Sequence, residues 1–150
     1  MKKLIIALLL LSSVQFVQAQ IVKPVKWSYA AKKVSATEAI VYLKATIDKG
    51  WHMYSQNMAD GGPTKTVFTF APSAQYALVG KTLESKSIAK FEKMFNMQVK
   101  YFENEAVFQQ RVKLKSKNQL SVKGSVYFGA CDDTTCTAPE DVPFNVVIKS

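Results

Sequence analysis

The sequence predicts an all-β sandwich. Three observations carry that expectation: rows of apolar residues at every second position, polar or glycine-bearing turns between them, and no long segment with the 3.6-residue period of a buried helix. In the first row Val41, Leu43, Ala45 and Ile47 share a face, with Tyr42 and Lys44 on the other. Ala106, Phe108, Val112 and Leu114 alternate with Gln109, Arg111, Lys113 and Lys115. Leu120, Val122, Val126 and Phe128 make a third inward row, and Val142, Phe144, Val146 and Ile148 a fourth. Shorter strands are expected over 25–33, 51–54, 66–70, 76–83 and 97–102. Asp48-Lys49-Gly50, Asp60-Gly61-Gly62-Pro63, Glu103-Asn104-Glu105 and Ser116-Lys117-Asn118 supply the turns. The interval 85–95 reads either as a short helix or as a loop anchored by Ile88, Phe91 and Phe95. The lack of longer helical segments argues against a thioredoxin fold.

Residues 1–19 have the three parts of a secretion signal. Lys2 and Lys3 are its positive end, 4–11 is an unbroken apolar run, and Val17-Gln18-Ala19 places small side chains for cleavage after Ala19. The run is too short for a bilayer core of about 30 Å, which needs roughly 20 apolar residues. No cysteine follows it, which argues against lipid anchoring there. The expected mature chain, 20–150, suits one domain in an exported, disulfide-permissive compartment, the periplasm. The formal charge is +9; without the two leader lysines it is about +7, spread over strand-like segments rather than gathered in a block. With no recognisable binding motif, this excludes a nucleic-acid partner.

Chemistry is concentrated in the only two cysteines, Cys131 and Cys136. A CX4C pair does not fit adjacent helical turns. It fits a loop or hairpin whose arms approach to about 5.5 Å between Cα atoms. A disulfide closing so short a loop removes little unfolded-state entropy, so it is a weak staple. The spacing leaves three readings open: redox exchange, a local staple, or a metal site. Asp132 and Asp133 lie inside the loop. As negative neighbours they raise the thiol pKa and keep the pair quiet until a partner docks; as plain turn residues they do neither.

Three segments resemble the N-terminal periplasmic domain of DsbD, the thiol–disulfide interchange protein, in its free-standing form. They are Gly50-Trp51-His52-Met53-Tyr54-Ser55-Gln56 with Gly61-Gly62-Pro63-Thr64; Phe91-Glu92-Lys93-Met94-Phe95-Asn96-Met97-Gln98-Val99 running into Tyr101-Phe102-Glu103; and Cys131-Asp132-Asp133-Thr134-Thr135-Cys136 with Pro139-Glu140. The resemblance implies an immunoglobulin-like β-sandwich with the pair at one end. It implies that Cys136 attacks the partner and Cys131 resolves the mixed disulfide, that Phe95 is the aromatic cap, and that Tyr54 lines the site. Ala138 stands where members often carry the first of two prolines. The implied partners are a periplasmic thioredoxin-like or disulfide isomerase-type protein and a membrane electron donor on another chain. Exchange itself needs two cysteines in reach of each other and no cofactor.

Two other functions compete. Soft ligands suit Cu(I), and the chain offers His52, Met53, Met58, Met94 and Met97 beside the cysteines; packing accounts for scattered methionines more cheaply. His52, the sole histidine, reads as a packed or surface residue rather than a ligand. The remaining alternative is a non-enzymatic β-sandwich that binds another exported protein and carries a structural disulfide.

Overall fold

In the computed structural model, which describes residues 22–93 and 95–150, the expected leader 1–19 and Met94 lie outside the described residues. The strands are β1 (Val25–Lys33), β2 (Glu38–Ile47), β3 (His52–Tyr54), β4 (Val67–Phe70), β5 (Tyr76–Glu84) and β6 (Ile88–Glu92). They continue as β7 (Met97–Glu103), β8 (Glu105–Leu114), β9 (Leu120–Phe128), β10 (Ala130–Cys131) and β11 (Glu140–Ile148). Every strand pairing is antiparallel. One sheet runs β1-β2-β8-β5, a second β11-β9-β4, and a smaller third β10-β3-β7-β6.

The first two sheets face each other as a sandwich. All four apolar rows predicted from the sequence lie in its core, with Val142 partly exposed at the margin. Aromatic rings bridge the layers: Trp27 meets Phe68 edge-on at 6.0 Å between centroids, Phe128 at 5.5 Å and Phe108 at 6.0 Å. One inward position is polar. Gln110 is buried, and its amide is satisfied: Thr82 donates to Oε1 at 2.9 Å, while Nε2 donates to the Val79 and Arg111 carbonyls. These bonds hold β5 where its register slips between Val79 and Leu83, around Gly80 at φ 67°.

The third sheet grows out of the first. β2 pairs with β8 as far as Thr46 opposite Glu105, and the same two stretches of chain pair again as β3 and β7, starting at His52 opposite Glu103. Between the two ladders sit Gly50 (φ 84°) and Asn104 (φ 62°), in the left-handed region that glycine and asparagine tolerate best. The ribbon therefore turns a corner, fastened by Ile47 N–H to the Asn104 carbonyl at 2.8 Å. Met53, Phe102 and Ala130 anchor one face of the small sheet in the sandwich core.

The interval 85–95 differs from both readings offered for it. It holds strand β6 and then a turn, and Ile88 and Phe91 are exposed rather than anchoring. Phe95 alone of the three packs inward.

Gly124 on β9 stands opposite both Phe70 and Phe144. A Cβ there would overlap the Thr69 carbonyl oxygen and approach the Phe144 ring to 2.5 Å. Gly124→Ala is expected to lower stability by about 1–3 kcal/mol, the usual cost of overpacking. Urea unfolding checks this, and an unchanged midpoint would contradict it.

Candidate functional site

Strand β3 has two faces because successive side chains alternate. Met53 is fully buried and points into the sandwich core. His52 and Tyr54 must then point the other way. Register extends that outer face across the sheet: Cys131 stands opposite His52, Tyr101 opposite Tyr54, and Lys90 opposite Val99. Tyr54, Val99 and Cys131 form a small buried cluster of their own, with Met58, Phe95, Met97 and Tyr101 packed against it. Phe95 comes from the β6–β7 turn, which Asn96 closes at φ 51°. Loop residues after β3 also close in: Gly62 lies against the Met97 sulfur and Gly129 against Thr64.

Cys131 and Cys136 form a disulfide across a tight hairpin, with Cα atoms 4.0 Å apart and five positions of sequence separation. Cys131 is 5% exposed, whereas Cys136 is exposed. The hairpin closes on Asp132. Its N–H donates to the Thr135 carbonyl at 2.9 Å. Its carboxylate accepts from the Thr134 and Thr135 backbone N–H groups at 2.7 and 2.6 Å, and from both threonine hydroxyls. The Thr134 amide first, then that of Thr135, holds this carboxyl below its ordinary range. Asp132 is thus a turn-forming residue whose charge is spent on donors, the second of the two roles open to it in the sequence. Asp133 is exposed at the tip.

All six residues singled out in the sequence, Cys131, Cys136, Tyr54, Phe95, Asp132 and Asp133, line one cleft of about 360 Å³. Sequence reasoning missed His52, Lys90 and Glu92, which line it as well. Cys136 also borders a second groove on the far side of the hairpin, with Trp51, Lys23 and Glu140. Of the residues weighed for copper, Met53 is on the core face, Met58 and Met97 pack beside Cys131, His52 lines the cleft of the pair, and Met94 lies outside the described residues. Among the described residues no group of three or more His, Cys, Asp or Glu is arranged to hold a metal, and no helix is long and apolar enough to cross a membrane.

His52 Nε2 lies 3.0 Å from the Tyr54 hydroxyl, and its ring sits 5.2 Å from those of both Tyr54 and Tyr101. Burial pushes the His52 pKa down, against the opposing pull of Asp133 and Glu103. Burial, then Glu92 and Tyr101, pushes the Tyr54 phenol up to about 12.

A β-sandwich that presents one buried and one exposed cysteine of a disulfide in a cleft at its end has the form of a thiol–disulfide exchange domain. The sequence profile of the family described as "Thiol:disulfide interchange protein DsbD, N-terminal" matches residues 18–147. The chain belongs to that family, and this membership together with the Cys131–Cys136 disulfide supports a general role in thiol–disulfide exchange. Similar solved structures include the reduced DsbD N-terminal domain of Neisseria meningitidis, at 18% identity and TM-score 0.52, covering 83% of this chain and 86% of that one. The same domain in complex with the PilB N-terminal domain matches at 18% identity and TM-score 0.55, covering 84% and 87%. The N-terminal periplasmic domain of ScsB from Proteus mirabilis matches at 18% identity and TM-score 0.55, covering 81% of this chain and 44% of that one. These likenesses establish the fold, an immunoglobulin-like sandwich as the sequence resemblance implied. Comparison with curated proteins finds no match.

His52 and Asp132 titrate in separate windows. His52 has a folded pKa below 6.5, so its contribution to stability is complete above that value and is lost as the pH falls through the folded pKa. Asp132, shifted below 3.8, contributes fully above 3.8 and loses that contribution only as the pH falls further. In an NMR titration the His52 ring is expected to have its midpoint below 6.5, and the Thr134 and Thr135 amides are expected to move together below 3.8. Midpoints at or above those values would contradict the hydrogen-bond and burial assignments.

Proposed function

We propose that this protein is exported to the periplasm by residues 1–19 and there passes reducing equivalents to or from other exported proteins through Cys131 and Cys136. The observation that carries the reading is the asymmetry of the pair: Cys136 is open to a partner while Cys131 is buried behind it. Cys136 attacks the partner disulfide, and Cys131 then resolves the mixed disulfide. Phe95 and Tyr54 shield the buried sulfur from stray thiols and oxidants, and the β6–β7 turn carrying Phe95 yields when a partner docks.

The partner is a thioredoxin-like or disulfide isomerase-type protein. The complex of the Neisseria domain with the PilB N-terminal domain supports a protein partner. Electrons exchanged with the membrane come from a donor on another chain. A purely structural role is the weaker reading. Closing a loop this short is worth about 2 kcal/mol of unfolded-state entropy, against nearly 5 for a loop of roughly 100 residues. The sandwich core also contains neither cysteine.

A thioredoxin-like domain with one cysteine, activated as its 5-thio-2-nitrobenzoate disulfide, tests the assignment. Reduced Cys131→Ser is expected to form a stable one-to-one mixed disulfide with it, and Cys136→Ser to react at least about tenfold more slowly because its remaining thiol is buried. Equal rates, or no adduct with either variant, would contradict the roles assigned to the two cysteines.

A further inference from the structure

We propose that His52 is the general base that takes the proton of Cys131 when Cys131 closes the disulfide onto Cys136. The inference deepens the exchange reading and rests on it. In the first step the Cys136 thiolate bonds to one partner sulfur, and the other leaves with the electron pair as a thiolate. In the second step the Cys131 S–H bond breaks, its sulfur bonds to Cys136 Sγ, and the bond between Cys136 and the partner breaks with its electron pair on the partner sulfur. The protein loses two electrons and the partner disulfide gains them. The Cys136 proton goes to solvent, and the Cys131 proton passes through His52 to the departing partner thiolate.

The second proton is the difficult one. Cys131 is 5% exposed, so little water reaches it to accept a proton. His52 is its register partner across β3 and β10, on the same face of the sheet and in the same cleft. Residues from every neighbouring element face the imidazole: Asp133 from the hairpin, Glu103 and Tyr101 from β7, Lys90 and Glu92 from β6, and Tyr54 from β3 itself. Tyr54, with its pKa pushed up to about 12, stays a phenol at neutral pH. An imidazole ordinarily titrates near the working pH, which suits it to accept the proton of a thiol. When Nε2–H donates to the Tyr54 hydroxyl 3.0 Å away, Nδ1 keeps the free lone pair that a base needs.

The test uses the reduced full-length mature protein and the disulfide reagent 5,5′-dithiobis(2-nitrobenzoate). A first thionitrobenzoate is released when exposed Cys136 attacks the reagent, and a second when Cys131 resolves the adduct. In the wild type the second phase is expected to rise with pH through an inflection below 6.5, the ordinary histidine value that burial depresses. In His52→Phe it is expected to slow by roughly a hundredfold at neutral pH and to lose that inflection, while the first phase is unchanged. Added imidazole is expected to restore the second phase in His52→Ala, a recovery that a purely structural role for His52 does not predict. A second phase of unaltered rate and pH profile in both variants would overturn the inference. Release of only one equivalent by the wild type would overturn the exchange reading itself.

Discussion

Met53 is the hinge of the architecture. It is fully buried between the small sheet and the sandwich, and successive side chains of a regular strand alternate between its faces. Once Met53 points into the core, His52 and Tyr54 have to point away from it. The antiparallel register then places Cys131 beside His52 and Tyr101 beside Tyr54. A slip of one residue would send all of these to the wrong face. The corner at Gly50 and Asn104 permits this, because it lets one long ribbon serve two sheets. The site is in this sense a by-product of how the core is filled.

The same arrangement separates stability from chemistry. The main apolar cluster runs through the sandwich, and the cysteine pair sits in a second, small cluster at its end. The hairpin holding the pair is closed by Asp132 and two threonines rather than by the disulfide alone. Neither the backbone bonds of the turn nor the packing of the sandwich core is made through the S–S bond. A redox carrier needs that property, because a bond whose loss unfolded the domain would lock it in one state.

Much of this was legible in the sequence. The four long apolar rows identified β2, β8, β9 and β11, since half-buried strands declare themselves by period two. The segment holding β6 did not. Ile88, Phe91 and Phe95 are spaced three and four residues apart, which mimics a helix face, although Ile88 and Phe91 are exposed on opposite sides of an edge strand. At two residues, β10 is too short to show any period. In the site, the spacing of the cysteine pair drew attention to it while leaving exchange, staple and metal readings open, and Tyr54 and Phe95 were named from family resemblance. His52 was read as a packed or surface residue because a lone histidine carries no motif. Its significance depends on the pairing of residues 52 and 131, a contact between distant parts of the chain. The signal that could have pointed to it is its spacing of two from Tyr54, which puts both on one face of a strand.

The central claim is that the pair can be opened and closed without cost to the fold. Equilibrating Cys131–Cys136 against glutathione redox buffers, with urea unfolding of the oxidised and reduced forms alongside, tests it most directly. The account predicts a reduction potential within about −270 to −120 mV, the span of known exchange proteins, and a reduced form that unfolds cooperatively with the sandwich intact. A potential below about −300 mV, typical of structural disulfides, with collapse of the fold on reduction, would contradict it.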